Sequence, residues 1–213
     1  MDHLPPPRIS LLVHSPAPST LVPVLEQLLE PSPPLSNLLA PQLHAHLASL
    51  ASGAKPSSYA ELLDVCQRLV AQWDVLDQAA FIASHPRIGE VSGLSKASES
   101  EQGATSGREP TSGHVLRRLT MLNAFYEETF PNLRYITFVN GRSRAEIVPE
   151  LETILGLNLP PPSQDTGEGR FTELRKQVKI QPVGSGPWRK ELERDLVNMW
   201  QIAHSRLARL GVE

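Results

Sequence analysis

The chain has 213 residues, which is long enough to bury a core of its own, and 20 Lys and Arg against 23 Asp and Glu give a net charge of −3. Binding to nucleic acid requires clustered positive charge, so no nucleic-acid partner is expected. The lone cysteine, Cys66, lies among leucines and valines and is expected to be a buried apolar residue in a reducing compartment. No apolar run approaches the ~18 residues that span a bilayer, so no membrane partner is expected.

Hydrophobic periodicity predicts a series of amphipathic helices, because apolar residues recur at steps of three and four. Prolines and glycines mark where several of these helices end. In chain order, the predicted helices are Thr20 to Leu29, Asn37 to Ala51, one long helix from Tyr59 to Phe81, Val115 to Phe130, a helix from the Ser143 capping box to Leu155 that Gly156 stops, and Leu192 to Leu210 before Gly211.

Only Tyr135 to Val139 has the composition of a strand. A single short extended segment has no partner for its backbone amides, so the sequence predicts an all-α, multi-helix bundle that forms a single domain over residues 1–213. Residues 157–187 are rich in proline, glycine and polar side chains. We expect a mobile insertion there, with one or two helical turns near Phe171 to Val178.

Two neighbouring segments carry side chains suited to chemistry. His85-Pro86-Arg87-Ile88-Gly89 supplies an imidazole, and Ser98-Glu99-Ser100-Glu101-Gln102 supplies hydroxyls and carboxylates, all in stretches without helical periodicity. Structural alternatives exist for both segments. Ser98 and Glu101 have the spacing of a helix capping box, and a His-Pro pair is common in turns.

Other types of site find little support in the sequence. There is no second cysteine and no H-E-x-x-H pattern, so no metal site is predicted. Gly103 and Gly107 lack the Lys-Ser/Thr of a phosphate-binding loop. Gly184-Ser185-Gly186 lacks the sharp strand-to-helix turn that a serine nucleophile needs.

Five motifs follow one another along the chain. They are His85-Pro86-x-Ile88-Gly89, Ser98-x-x-Glu101-Gln102, Leu122-Asn123-x-x-Tyr126, residues 136–141, and Ile202-Ala203-x-x-Arg206-Leu207. Taken together and in order, they resemble the OHCU decarboxylase family, whose members convert 2-oxo-4-hydroxy-4-carboxy-5-ureidoimidazoline (OHCU) to (S)-allantoin and CO2 in urate degradation. The resemblance covers about Ala40 to Leu210 and implies an all-α, cofactor-free carboxy-lyase that is a homodimer and binds a small ureidoimidazoline substrate.

By position, the resemblance implies that His85 is catalytic, and Glu101 is assigned to the same chemistry as an acceptor of substrate N–H groups. The remaining matched positions are substrate-binding. They are Pro86, Ser98, Glu99, Ser100, Glu101, Gln102, Thr137, Phe138, Val139, Asn140, Gly141 and Arg206. An alternative for Arg206 is an exposed arginine near a helix C-terminus, where the helix dipole favours positive charge.

Three positions depart from the family pattern. Asn140 stands where many members carry arginine, Arg87 where an acidic residue is usual, and Gln201 where lysine is frequent. Residues 157–187 are a further departure, an insertion before the last helix. Asn140 and this insertion leave open a second function, a non-catalytic helical interaction module that retains the family pocket. The final residues, Gly211-Val212-Glu213, are not a peroxisomal targeting tripeptide, so the expected location is the cytoplasm.

Overall fold

The computed structural model describes residues 6–90, 98, 111–157, 159, 161, 168–176 and 178–211. Their contacts divide the chain into two compact units. Unit 1 comprises Met1–Ser84 and Val197–Glu213, and unit 2 comprises His85–Leu196. Throughout the described residues every regular element is a helix and none is a strand, which confirms the all-α prediction.

Unit 1 begins with short helices packed through leucines. They are α1 (Ile9–Leu12), α2 (Val22–Leu28), α3 (Ala40–Ser49), α4 (Tyr59–Val70) and α5 (Val75–Ile82). Two 3-10 turns, Pro18–Thr20 and Ser52–Ala54, and one π-helical turn, Leu35–Leu39, lie between them. The predicted helices at Thr20 to Leu29 and Asn37 to Ala51 are confirmed.

The prediction of one helix from Tyr59 to Phe81 is wrong, because the helix is interrupted between α4 and α5. Asp74 caps α5 by accepting a hydrogen bond from a backbone amide of its first turn at 2.9 Å. The side chain of Gln78 donates to the carbonyls of Val70 at 3.0 Å and Trp73 at 3.3 Å, which satisfies the end of α4. Both helices bury apolar residues, so the hydrophobic pattern continues across the break.

Unit 2 contains α6 (Gly113–Thr129), α7 (Arg144–Ile154), α8 (Glu168–Arg175) and the start of α9 (Gly186–Leu210), which continues into unit 1. The capping box at Ser143 is present in full, and Gly156 has the left-handed φ of +66° that stops a helix. The three predicted helices that correspond to α6, α7 and α9 are therefore confirmed, although α9 begins six residues earlier than Leu192.

Residues 157–187 lie partly outside the described residues, at 158, 160, 162–167 and 177. The described part includes α8, where Leu174 is buried and Arg175 pairs with Glu128 on α6 at 2.6 Å. The amide of Gln181 donates to the carbonyl of Thr129 at 2.7 Å. The mobility of this segment stays a prediction.

Two expectations from composition concern a thiol and the membrane. Cys66 is fully buried in α4, and burial raises the pKa of its thiol to about 12. It is thus a core residue, as its neighbours predicted. Of the helices that the structure describes, none is both long and apolar enough to cross a membrane.

Candidate active site

His85 opens an irregular loop, residues 85–90, that directly follows the end of unit 1 in the chain. Only 3% of the residue is exposed, and its neighbour Pro86 is half-buried. The guanidinium of Arg134 donates to the carbonyl of His85 at 2.6 Å. The backbone that carries the imidazole is therefore fixed by a side chain from the segment that follows α6.

The middle of the loop packs closely against α6. Asn123 is buried in α6 and its amide donates to the carbonyl of Ile88 at 2.9 Å. Gly89 has a φ of +90°, and a Cβ there would lie 3.0 Å from Cδ1 of Leu119, so only glycine fits without strain. The Leu122-Asn123 motif thus holds the histidine loop, a role that a polar residue within the apolar stripe of α6 could have suggested.

Charged side chains hold the end of the loop. Arg87 forks onto both carboxylate oxygens of Glu127 at 2.7 and 2.9 Å. Glu90 accepts from the amide of Arg87 at 3.0 Å, and its own carbonyl accepts from Arg144 at 3.0 Å. The pairing with Glu127 raises the pKa of Arg87. The departure from the family at Arg87 is therefore explained by a structural role in this loop.

Arg134 places a partly buried positive charge beside the histidine loop. Burial, with the positive charge of Arg87 adding to it, lowers the pKa of Arg134. Glu127 lies between these two cations, with one carboxylate oxygen 3.8 Å from Nε of Arg134. An arginine stays charged in proteins, so this cost of desolvation favours an anion nearby.

Four of the predicted site residues, Glu99, Ser100, Glu101 and Gln102, lie outside the described residues. Ser98 is described, and only 3% of it is exposed. The burial of Ser98 agrees with either a capping or a substrate-binding role.

Residues 137–141 form the second predicted part of the site. The backbone reverses at Asn140 and Gly141, which have φ values of +46° and +78°, and the amide of Arg142 donates to the carbonyl of Val139 at 3.0 Å. Two positive φ values at the centre of such a turn are typical of type I′, for which Asn-Gly is the preferred sequence. Asparagine tolerates this conformation better than arginine, which accounts for the departure at Asn140.

A buried acidic group holds the chain before this turn. Asp195 on α9 accepts from the amide of Ile136 at 3.0 Å and from the hydroxyl of Tyr126 at 2.6 Å. Arg194 donates to the carbonyl of Ile136 at 2.8 Å. Burial raises the pKa of the Asp195 carboxyl to about 8. Both backbone groups of Ile136 are thus satisfied by side chains, in place of a neighbouring strand.

A second acidic residue, Glu150 on α7, lies beside the turn. It accepts from the hydroxyls of Tyr135 at 2.7 Å and Thr137 at 3.0 Å, and it pairs with Arg142 at 2.6 Å. Burial alone would raise the pKa of Glu150, but the hydrogen bonds from Tyr135, Arg142 and Thr137 outweigh it and lower that pKa. Sequence reasoning missed Glu150, Asp195 and Arg142, because a single polar residue in a helix or a turn gives no periodic signal.

Within unit 2 the structure brings the two parts of the site together. Arg134, before the turn, donates to His85, and Arg144, after the turn, donates to Glu90. The histidine loop therefore contacts both ends of the segment that contains residues 137–141.

Arg206 belongs to unit 1, where it forms a buried ion pair. Its Nη2 lies 2.7 Å from Oε1 of Glu30, and the two side chains are 3% and 6% exposed. The alternative of a solvent-exposed arginine near the end of a helix is therefore wrong. Glu30 was not identified from the sequence, since it follows α2 in a short proline-rich stretch.

Among the described residues, no group of three or more His, Cys, Asp or Glu side chains is arranged to hold a metal ion. The side chains that line the two segments are instead hydrogen-bond donors and carboxylates.

Comparison with known proteins identifies one family over most of the chain. The sequence model of OHCU decarboxylase matches residues 16–163, which is more than half of the chain. The all-α fold and this match define the class of protein as a helical carboxy-lyase. The chain belongs to the OHCU decarboxylase family. As a member it is a carboxy-lyase that decarboxylates OHCU to allantoin.

Similar solved structures exist. One is a crystal structure of OHCU decarboxylase in the presence of (S)-allantoin, with 20% sequence identity and a TM-score of 0.48. The match covers 79% of this chain and 89% of that chain. No curated protein matches the chain.

Proposed function

We propose that the loop at residues 85–90 and the segment at residues 137–141 together carry out the decarboxylation of OHCU, with His85 as the central acid/base group. The observation that carries this proposal is the way His85 is held. Its ring is buried, and the loop is fixed at three carbonyls by Arg134, Asn123 and Arg144. A buried side chain on a backbone fixed in this way loses little conformational entropy when it acts on a substrate.

The chemistry needs one proton removed and one delivered. Breaking the bond to the carboxylate releases CO2 and leaves the electron pair on the ring carbon, where it is delocalised as an enolate. A proton added to the neighbouring ring carbon, which bears the ureido group, then completes allantoin, while loss of the hydroxyl proton turns the first carbon into the ring carbonyl. The unperturbed pKa of an imidazole, about 6.5, suits His85 both to accept the hydroxyl proton and to return one.

The other predicted residues bind the substrate in this proposal. Glu101 accepts hydrogen bonds from substrate N–H groups, and Ser98 to Gln102 provide polar contacts around the ureido group. Backbone amides of residues 137–141 stabilise developing oxyanion charge, which requires orientation rather than a particular side chain. The family resemblance assigns Arg206 to a carboxylate or carbonyl oxygen of the substrate, although its Nη2 pairs with the Glu30 carboxylate at 2.7 Å in this structure.

The decisive experiment measures CO2 release and the chirality of the allantoin formed from freshly generated OHCU. We expect acceleration over the uncatalysed decay and formation of the (S) enantiomer. Decay at the uncatalysed rate with racemic product would favour the alternative, a non-catalytic module that retains the pocket.

Two finer features remain proposals. A homodimer is supported by the family resemblance, and sedimentation of the purified chain would test it. A cytoplasmic location is supported by a lone cysteine that is fully buried. Imaging of the tagged full chain would test that location.

A further inference from the structure

Arg142 is the last residue of the turn of residues 139–142, and its side chain forms several hydrogen bonds to residues 137–139. Its Nη2 donates to the carbonyl of Phe138 at 2.7 Å and to the hydroxyl of Thr137 at 3.1 Å. Its Nε donates to the carbonyl of Val139 at 3.1 Å. One guanidinium therefore contacts three consecutive residues of the segment assigned to the substrate.

The guanidinium is itself held from the side of α7. Its Nη1 donates to Oε2 of Glu150 at 2.6 Å, while Oε1 of that carboxylate accepts from Tyr135 and Thr137. Both oxygens of Glu150 are thus in use, and the carboxylate cannot rotate without losing bonds. Arg142 is consequently fixed at one end by an ion pair and at the other by backbone carbonyls.

The segment has few other restraints. Within the described part of the chain, residues 135–139 have no neighbouring strand, so their peptide groups are oriented by side chains. After Ile136, which Asp195 and Arg194 hold, the carbonyls of residues 138 and 139 are bound by Arg142. A peptide group is planar, so fixing these two carbonyls also fixes the direction of the next two amides.

We propose that Arg142 is a positioning residue for the decarboxylation, one that orients the peptide groups of residues 137–141 so that their amides stabilise the oxyanion. This inference rests on the proposed function, which assigns that task to these amides. It requires a planar fork with several donors, which lysine does not supply. It also predicts that the effect of Arg142 appears in the transition state, where the oxyanion develops.

The test compares Arg142→Ala, Arg142→Lys and the control Arg175→Ala. Arg175 also pairs with a glutamate at 2.6 Å, but it does so on α8. For both Arg142 variants we expect kcat to fall roughly tenfold, the scale of one charge-assisted hydrogen bond, with KM changed less than twofold. Amide hydrogen exchange of residues 136–141 should accelerate by a similar factor. The control should match the wild type in both measurements.

Several outcomes would overturn the proposal. A raised KM with unchanged kcat would mean that Arg142 binds the substrate directly. Full recovery in Arg142→Lys would mean that charge alone matters, and unchanged kcat in both variants would remove any role. Because 37% of the Arg142 side chain is exposed, we expect the variants to fold, and the lysine variant provides the same test if the alanine variant does not.

Failure of the proposed function gives a different result. In that case the wild type itself would not accelerate the loss of CO2 from fresh OHCU. Hydrogen exchange of residues 136–141 would then decide alone whether Arg142 holds the segment, and unchanged exchange in both variants would overturn the inference.

Discussion

Each of the two units is stabilised internally by a different kind of interaction. The core of unit 1 is built mostly from leucines on short helices. Within the described residues, this unit also contains the buried ion pair Arg206–Glu30. In unit 2, arginines that pair with carboxylates hold the irregular segments. Arg87 and Arg142 lie on these segments, and Arg194 contacts the carbonyl of Ile136 from α9. Both units nevertheless bury an apolar core.

The difference follows from where the backbone hydrogen bonds go. A helix satisfies its own amides and carbonyls, so apolar contacts are enough to pack it. Residues 85–90 and 131–143 are not helical, and their peptide groups need side-chain partners. In unit 2 these partners are largely charged, and charge-assisted hydrogen bonds are stronger and more directional than neutral ones. Rigid irregular backbone of this kind is suited to hold a catalytic group.

Replacing His85 tests whether this rigidity serves catalysis, and we expect it to have the largest effect. His85→Ala should retain the fold, because the loop is held through backbone carbonyls, and should lose roughly 10²- to 10⁴-fold in CO2 release, as is typical of a lost acid/base group. The matched control is His44→Ala on α3 in unit 1, whose ring contacts the backbone carbonyl of Ser15. Near-normal turnover in a folded His85→Ala variant would remove the histidine from the mechanism.

The buried ion pair of unit 1 gives the next largest effect. Arg206→Met removes this ion pair while the Glu30 carboxylate stays buried, which typically costs about 3–5 kcal/mol of unfolding free energy. Urea unfolding should show this loss. The double variant Glu30→Leu with Arg206→Met should recover at least half of it, since no charge is then left buried. Equal stability of the two variants would mean that the pair is not coupled.

The sequence could predict the helices because their signals are local and repeated. The capping box at Ser143, the stop at Gly156 and the stripe of α6 depend on residues within a few positions of each other. The break between α4 and α5 was missed because Asp74 is a single cap within a pattern that otherwise continues.

The candidate site could be predicted only in part. His85, Ser98 and residues 137–141 were identified from a family pattern, which carries information about chemistry. The residues that hold them are far away in sequence, as Asn123 is from Ile88 and Asp195 from Ile136. Such pairs form only when the chain is folded, so no spacing in the sequence reveals them.

Two glycines with positive φ, both in irregular backbone of unit 2, differ in how closely other residues pack against them. Gly89→Ala adds a Cβ 3.0 Å from Leu119 at a φ of +90°, whereas Gly141→Ala at +78° meets no atom within 4 Å. The backbone strain alone should cost roughly 1–2 kcal/mol in each variant, and overpacking should add about 1–3 kcal/mol at Gly89. Thermal unfolding of both variants measures the difference. Equal losses of unfolding free energy in the two variants would mean that the Leu119 side chain can move aside without measurable destabilisation.

The smallest predicted effect concerns the pH dependence that Asp195 gives to unit 2. Burial raises the pKa of its carboxyl to about 8, against an ordinary value of 3.8, although Arg194, Tyr126 and the amide of Ile136 oppose the shift. Between these two pKa values the folded state binds more protons at this site than the unfolded state. The contribution is therefore fully present below about pH 4 and is lost as the pH rises towards 8.

Asp195→Asn isolates this contribution, because the amide group keeps the shape of the carboxyl and does not titrate. Its oxygen can accept from Ile136 and Arg194, and Tyr126 can turn its hydroxyl towards Glu191, 3.0 Å away, while it accepts from the new amide. Unfolding free energies measured from pH 5 to pH 8 should fall less steeply in the variant than in the wild type. Parallel curves would show that Asp195 stays ionised in the folded state, with Arg194 compensating for its burial. The ion pairs of unit 2 would then resemble the buried pair of unit 1.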